Sequence, residues 1–350
     1  MNMKELFDVV DQERASDLLI TAGAPPILRI DGELFRMRAE ALTAKQTKEL
    51  IYEMLSPDQR DKFELHKELD FSLATDRKTR FRVNVYSQKG AVTAALRPIP
   101  SKIPSLGELG LPSHITDLAM ARQGLVLVTG PTGSGKTPTL AALLEVINNR
   151  RSCHIISVED PIEYVHEHRR SIVDQREIGE DTESFPSALK YVLRQNPDVI
   201  MIGELRDLET IQTALTAAET GHLVFATLHT NDAVQTIDRM VDVFPFGQQQ
   251  QVRFQLSMVL LAIVSQRLVP RRGGGGRVLA CEIMLKHNGI SNLIREQKSH
   301  QIYSVMETCH REGMTTMDKS LKDLCSSGLI TREESIGLMR SPKELLRLGE

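Results

Sequence analysis

Apolar positions in the first hundred residues fall in short clusters. Leu18-Leu19-Ile20 and Pro26-Ile27-Leu28-Arg29-Ile30 read as strands, and Asp31-Gly32 is a turn signal between extended segments. Residues 43–66 carry Leu50, Ile51 and Leu55 at helical spacing and predict helix. Arg80-Phe81-Arg82-Val83-Asn84-Val85-Tyr86 alternates with the period of a half-buried strand. Gln88-Lys89-Gly90 then turns the chain and residues 91–97 return it. A small α+β domain over residues 1–97 follows from this pattern. Pro98, Pro100, Pro104 and Pro112, with Gly107 and Gly110, interrupt regular structure, so residues 98–112 read as a linker.

From residue 113 to residue 350 the pattern changes. Apolar runs at 124–129, 154–158, 199–202 and 223–228 alternate with helical stretches, such as the one carrying Leu140, Leu143, Leu144 and Ile147 on one side. That alternation predicts an α/β domain, a parallel sheet covered by helices. Residues 247–268, with Val252, Leu256, Val259, Ile263 and Val264 at helical spacing, predict one long helix. Residues 273–276 are a flexible Gly-rich break. The chain beyond Gly289 reads as a mostly helical tail, with a capping box at Thr331 and Glu334.

Composition narrows the classes. A chain of 350 residues is long for one core, which makes two domains the expectation. Aromatic residues are 4% and Trp is absent, which argues against an aromatic platform for stacking bases. A net charge of −3 gives no global attraction to nucleic acid or to an anionic membrane. Cys153, Cys281, Cys309 and Cys325 form no C-x-x-C pair, so they read as scattered thiols of a reducing compartment. The charged N-terminus lacks the apolar stretch of a signal peptide. The longest membrane candidate, 256–264, is about nine residues against the ~20 needed to span, so no transmembrane segment is expected.

The chemistry begins at Gly130-Pro131-Thr132-Gly133-Ser134-Gly135-Lys136-Thr137, a match to the P-loop pattern placed after an apolar strand and before a helix. Glycines let the backbone curl so that successive N–H groups face phosphate oxygens, and the helix start adds partial positive charge. Lys136 would reach the β and γ phosphates of ATP, and the Thr137 hydroxyl would ligate Mg2+. Pro138 is unusual: it removes an N–H from the first helical turn, which predicts nucleotide binding weakened by about one charge-assisted hydrogen bond, roughly 1.5–3 kcal/mol.

A hydrolytic site of this kind also needs a carboxylate at the end of a neighbouring strand. Asp198-Val-Ile-Met-Ile-Gly203-Glu204 supplies Glu204, with Gly203 where many P-loop enzymes carry Asp. A second acidic run, Glu159-Asp160-Pro161-Ile162-Glu163, follows the strand after the P-loop helix. Strand ends on one sheet edge converge in such folds, so Glu204 and Glu163 can divide the metal and water roles. His222 and His229 bracket the run 223–228; their spacing does not fit a local metal pair, and on residue chemistry alone they read as packing or capping groups.

Together these residues resemble the secretion ATPases of type IV pili and type II secretion, and within them the pilus-retraction members, over nearly the whole chain. Residues 130–137 resemble that family's Walker A, 159–164 its acidic box, 198–207 its atypical Walker B with glycine before glutamate, and 220–230 its His box. Residues 289–296 resemble a stretch associated with retraction. The resemblance implies a RecA-like P-loop ATPase core behind a PAS-like N-terminal domain. It also implies a homo-hexamer with nucleotide at the seam between subunits, docked in the cytoplasm against an inner-membrane pilus platform protein. It makes Arg82 and Arg97 arginines that reach ATP, and His222 and His229 active-site linkers. The chain shows neither the additional N-terminal region nor the four-cysteine site usual in extension and secretion ATPases, which favours retraction. It departs from the retraction pattern at Thr137-Pro138, where Ser-Thr is usual. Gly289 and Ser291 stand where Ala and Arg are usual, and Leu19 where His is usual. The rival readings are an extension or secretion motor, a DNA-translocating ring, and a nucleotide-gated ring with little intrinsic hydrolysis.

Overall fold

The computed structural model describes residues 2–30, 32–75, 79–99 and 102–342. The chain divides into two units, Met1–Lys102 with Pro161–Val165, and Ile103–Asp160 with His166–Glu350. In the first unit the order is α1 (Met3–Glu13), β1 (Asp17–Ile20), β2 (Ile27–Ile30), β3 (Glu33–Arg36), α2 (Ala44–Tyr52), α3 (Pro57–His66), β4 (Glu68–Ala74), β5 (Arg80–Gln88) and β6 (Ala91–Ile99). Its six strands form one sheet in the order β3-β2-β1-β6-β5-β4. Of the turn expected at Asp31-Gly32, Asp31 lies outside the described residues, and Gly32 has φ 90°. Leu6, Val10, Leu50 and Ile51 from the helices close over Leu18, Phe81, Val83 and Leu96 from the sheet.

Two expectations for this unit are corrected. The stretch 43–66 is two helices, because Ser56 caps a new helix whose first residue is Pro57 and whose Gln59 returns the cap. Pro98 lies inside β6, beyond the Leu96 end of the pairing with β1, where the strand is an edge and a missing N–H is tolerated.

The second unit runs α4 (Thr116–Ala119), β7 (Gly124–Thr129), α5 (Lys136–Arg150), β8 (His154–Glu159), β9 (Ile172–Glu177), α6 (Phe185–Val192) and β10 (Val199–Ile202). It continues with α7 (Leu208–Glu219), β11 (Leu223–Leu228), α8 (Ala233–Asp242), α9 (Phe246–Val259), β12 (Leu260–Pro270) and β13 (Arg277–Leu285). The helices α10 (Asn288–Arg295), α11 (Ile302–Thr308), α12 (Met317–Ser326) and α13 (Arg332–Leu338) complete it. The sheet order is β13-β12-β7-β11-β10-β8-β9, parallel from β12 to β9, with β13 antiparallel at one edge. All six residues of β7 are buried, with Leu125 and Leu127 packing on one face and Val126 and Val128 on the other. That two-sided burial is why the strand reads as a continuous apolar run.

The expected long helix over 247–268 is corrected: α9 ends at Val259, and residues 260–270 form β12, wedged between β7 and β13. Ile263 and Val264 are sheet core, not helix face. A short apolar run buried on both faces has no period that separates strand from helix. Gly273–Gly276, with φ between 78° and 111°, turn the β12–β13 hairpin. No described helix is long and apolar enough to cross a membrane.

Candidate active site

The loop between β7 and α5 is built around a close approach. Gly130 has φ 141°, and a Cβ there would stand 2.3 Å from the Gln266 carbonyl oxygen on β12 and 2.6 Å from Ser134 Oγ. Only glycine fits. Gly135, at φ 91°, is the N-cap of α5 and leaves that helix start without a side-chain cap, whereas α6, α7 and α8 are capped by Ser184, Asp207 and Asp232. The Ser134 hydroxyl is buried with no hydrogen-bond partner among the described residues. Lys136 Nζ folds back onto the carbonyl oxygens of Gly130 at 2.8 Å and Pro131 at 3.1 Å. An uncapped helix start, an orphaned buried hydroxyl and a lysine curled over the loop fit a phosphate chain. Thr137 and Pro138 fall in the first helical turn, with Pro138 at its third position.

The carboxylate lies at the same sheet edge. β11 separates β7 from β10, and Glu204 follows β10 as Gly130 follows β7. Glu204 is far from alone: its Oε2 accepts from Arg206 at 2.7 Å, and its Oε1 lies 3.2 Å from His229 Nε2. Burial works against its charged form, but the Arg206 hydrogen bond and the neighbouring His229 outweigh that, so its carboxyl is held below the ordinary carboxylate range. Arg206, facing Glu204 and Asp160, is held more firmly protonated in return. The backbone is stitched as tightly: Thr227 Oγ1 donates to the Gly203 carbonyl at 2.6 Å, and Leu205 N to the Thr227 carbonyl at 2.9 Å.

The structure therefore brings Glu204 and His229 together on the edge that carries the P-loop. It places His222 elsewhere. His222 precedes β11, so it stands at the opposite edge of the sheet from His229, a six-residue strand or roughly 20 Å away. Its Nδ1 lies 3.0 Å from the Ala217 carbonyl, and its own carbonyl accepts from Gly124 N. Asp198 is likewise at the far end of β10, where its carboxylate accepts from His154 N at 2.8 Å. In the first unit, Arg82 and Arg97 are exposed and directly opposite one another on β5 and β6. Arg97 pairs with Asp17 at 2.8 Å. Like charges opposite one another on neighbouring strands repel, and at Arg97 the Asp17 carboxylate offsets that. Glu163 belongs to the 161–165 segment grouped with that unit; it raises the pKa of the Tyr164 hydroxyl after burial, the larger cause.

Two residues escaped the sequence reading. Arg206 is visible only as part of a motif, and nothing in its spacing shows that it returns to Glu204. Glu159, at the end of β8, is buried at 5% exposure, accepting from Ser157 Oγ at 2.6 Å and Gln175 Nε2 at 3.0 Å. In sequence it is one member of an acidic run, and nothing in that spacing shows that it is buried.

A parallel sheet with a phosphate loop after one strand, and an ion-paired carboxylate after the strand two places away, defines a RecA-like P-loop ATPase. The chain belongs to the type II/IV secretion system protein family, whose model matches residues 28–336. It is 48% identical to the type IV pilus retractation ATPase PilT of Pseudomonas aeruginosa, over 96% of this chain and 97% of that one. It is 44% identical to a twitching motility protein of Neisseria gonorrhoeae, over 93% and 89% of the two chains. A crystal structure of the pilus retraction motor PilT with bound ADP superposes with a TM-score of 0.94 at 50% identity, covering 99% of each chain.

Proposed function

We propose that this chain is the subunit of a homo-hexameric, Mg2+-dependent ATPase that powers type IV pilus retraction. The observation that carries the reading is Glu204, held ionised by Arg206 and His229 on the sheet edge that carries Lys136. The near-full-length likeness to a retraction ATPase supplies the biological direction. In this reading the chain is cytoplasmic and works against an inner-membrane pilus platform protein. The six-stranded unit through β6 forms a PAS-like domain, and the unit from Ile103 onward the motor core.

The chemistry needs four jobs done. Loop amides, Lys136 and the Thr137 hydroxyl hold the β and γ phosphates. Mg2+, held by Thr137 and by Glu204 through water, would supply charge compensation on the phosphate oxygens. Glu204 orients a water whose oxygen attacks the γ phosphorus as the bond to the β-γ bridging oxygen breaks; the water's proton passes to a carboxylate. Glu163 is the candidate general base, and Glu204 can exchange roles with it. Arg82 and Arg97 neutralise phosphate charge, as bidentate guanidinium groups do. His229 senses the charge on Glu204. His222, at the far sheet edge, fits a role at a subunit seam.

The test is phosphate release with Mg-ATP at rising protein concentration, beside Glu204→Gln. Wild-type activity that grows with assembly and falls by ~10²–10⁴-fold in the variant supports the reading. An active Glu204→Gln would sink its catalytic assignment. In cells, loss of the gene should leave pili without twitching; bald cells would point to extension. A second reading, a nucleotide-gated ring with little hydrolysis of its own, is favoured by Pro138 alone and predicts an inactive wild type that still binds ADP.

A further inference from the structure

We propose that His287, Cys309 and Glu312 form a transition-metal site that takes zinc, independent of the nucleotide site. One ligand atom from each of the three lies within 4.8 Å of the others. Imidazole, thiolate and carboxylate are the donor types zinc takes, and three protein ligands with one open position make an exchangeable site. Tetrahedral zinc places its ligand atoms roughly 3.3–3.6 Å apart, given bonds of about 2.0–2.3 Å. The ligand atoms therefore have at most about 1.5 Å to close. Glu312 is exposed, and His287 and Cys309 are partly exposed, so side-chain rotation suffices. Cysteine spacing hid the cluster, because its ligands come from separate elements.

The site has a built-in consequence for α10. His287 is the N-cap of that helix: its Nδ1 accepts the Gly289 N–H at 3.1 Å. A neutral imidazole has one ring lone pair, and this hydrogen bond uses it. If zinc binds Nδ1, it displaces the cap. If zinc binds Nε2, the proton moves to Nδ1, which becomes a donor and can no longer accept from Gly289. Either way, metal loading and the α10 cap exclude one another. Cys309 ends α11, and Glu312 lies in the turn after it. Zinc would exchange a local cap for a crosslink between the start of α10 and the end of α11.

The experiment uses untagged, nucleotide-free, full-length protein titrated with Co2+ as a spectroscopic probe, then with Zn2+. The expected result is a thiolate-to-cobalt charge-transfer band that saturates at one ion per chain and is bleached by zinc. Cys309→Ser should abolish the band. His287→Gln, which keeps a side-chain acceptor for the helix cap, should weaken cobalt binding at least tenfold. Zinc should also speed hydrogen exchange at the Gly289 amide in wild type, and leave it unchanged in Cys309→Ser. A cobalt spectrum identical in wild type and Cys309→Ser overturns the proposal, as does wild-type affinity in His287→Gln.

Discussion

Pro138→Thr restores one backbone N–H at the third position of α5. The helix makes its first bond from Thr139 N to the Gly135 carbonyl at 3.3 Å, so Pro138 breaks no helical hydrogen bond and the substitution leaves the fold unchanged. Its ring stays clear of the loop, 4.0 Å from where a Gly135 Cβ would stand, so relief of strain is not the effect. What changes is the number of amides available to a phosphate at a helix start that has no side-chain cap. A hydrogen bond to a charged acceptor contributes about 1.5–3 kcal/mol, so the Kd for nucleotide should fall by about 10- to 150-fold. Titration with a fluorescent ADP analogue in Mg2+ measures it, with the unliganded melting temperature as the control for folding. A Kd unchanged within about twofold would show that this amide does not face the phosphates, and the reasoning fails.

Three further perturbations probe the frame around the site. Gly130→Ala puts a Cβ 2.3 Å from the Gln266 carbonyl oxygen at φ 141°. The backbone strain alone is on the order of 1–3 kcal/mol, so ADP should no longer raise the melting temperature. An intact ADP shift would show that the cradle is not tight. Arg206→Ala removes the hydrogen bond that keeps the Glu204 carboxyl low, so the acid limb of the pH–rate profile should move to higher pH. The sign is consistent with stability: a depressed Glu204 stabilises the fold above its unfolded pKa, and that contribution is lost as pH falls through the folded value. The variant should therefore lose less stability on acidification; identical wild-type and variant pH curves would refute the coupling. Glu282 behaves oppositely: burial raises it to about 7, against hydrogen bonds from Ala233 N and Met317 N. The folded state then binds the extra proton, so stability should decline from about pH 4.5 to about pH 7, and Glu282→Gln should flatten that slope in thermal melts across pH.

Much of the fold was legible because burial writes itself into pattern. The runs 124–129, 199–202 and 223–228 are strands at those bounds, since a central parallel strand must be apolar on both faces. The same logic failed at 260–270, where a buried strand follows a helix without a polar break. β9 was missed because Ile172-Val173-Asp174-Gln175-Arg176-Glu177 sits at the sheet edge and alternates only weakly. At the site, the phosphate loop was legible because its chemistry is local in sequence. The Glu204–Arg206–His229 cluster was not, because it depends on β11 lying beside β10. His222 and His229 look equivalent in sequence; a six-residue strand between them sends them to opposite edges.

The oddest feature of the acidic motif, glycine where many P-loop enzymes have Asp, has a steric cause. A Cβ on Gly203 would lie 3.2 Å from the Val158 carbonyl oxygen and 3.4 Å from Glu159 Cα, because β8 runs close alongside. The Gly203 amide is committed to that neighbour, donating to the Val158 carbonyl at 2.8 Å. An Asp here would have to find room beside Glu159, which is buried and already fixed by Ser157 and Gln175. It would also set a second carboxylate near a buried one, which drives one of the pair to protonate. Sheet packing and charge thus both work against a metal-binding Asp at 203. The carboxylate moves one residue on, to Glu204, where Arg206 and His229 can hold it ionised. Glycine at 203 lets the neighbouring strand approach, and Glu204, one residue on, is left as the ion-paired carboxylate at that strand end.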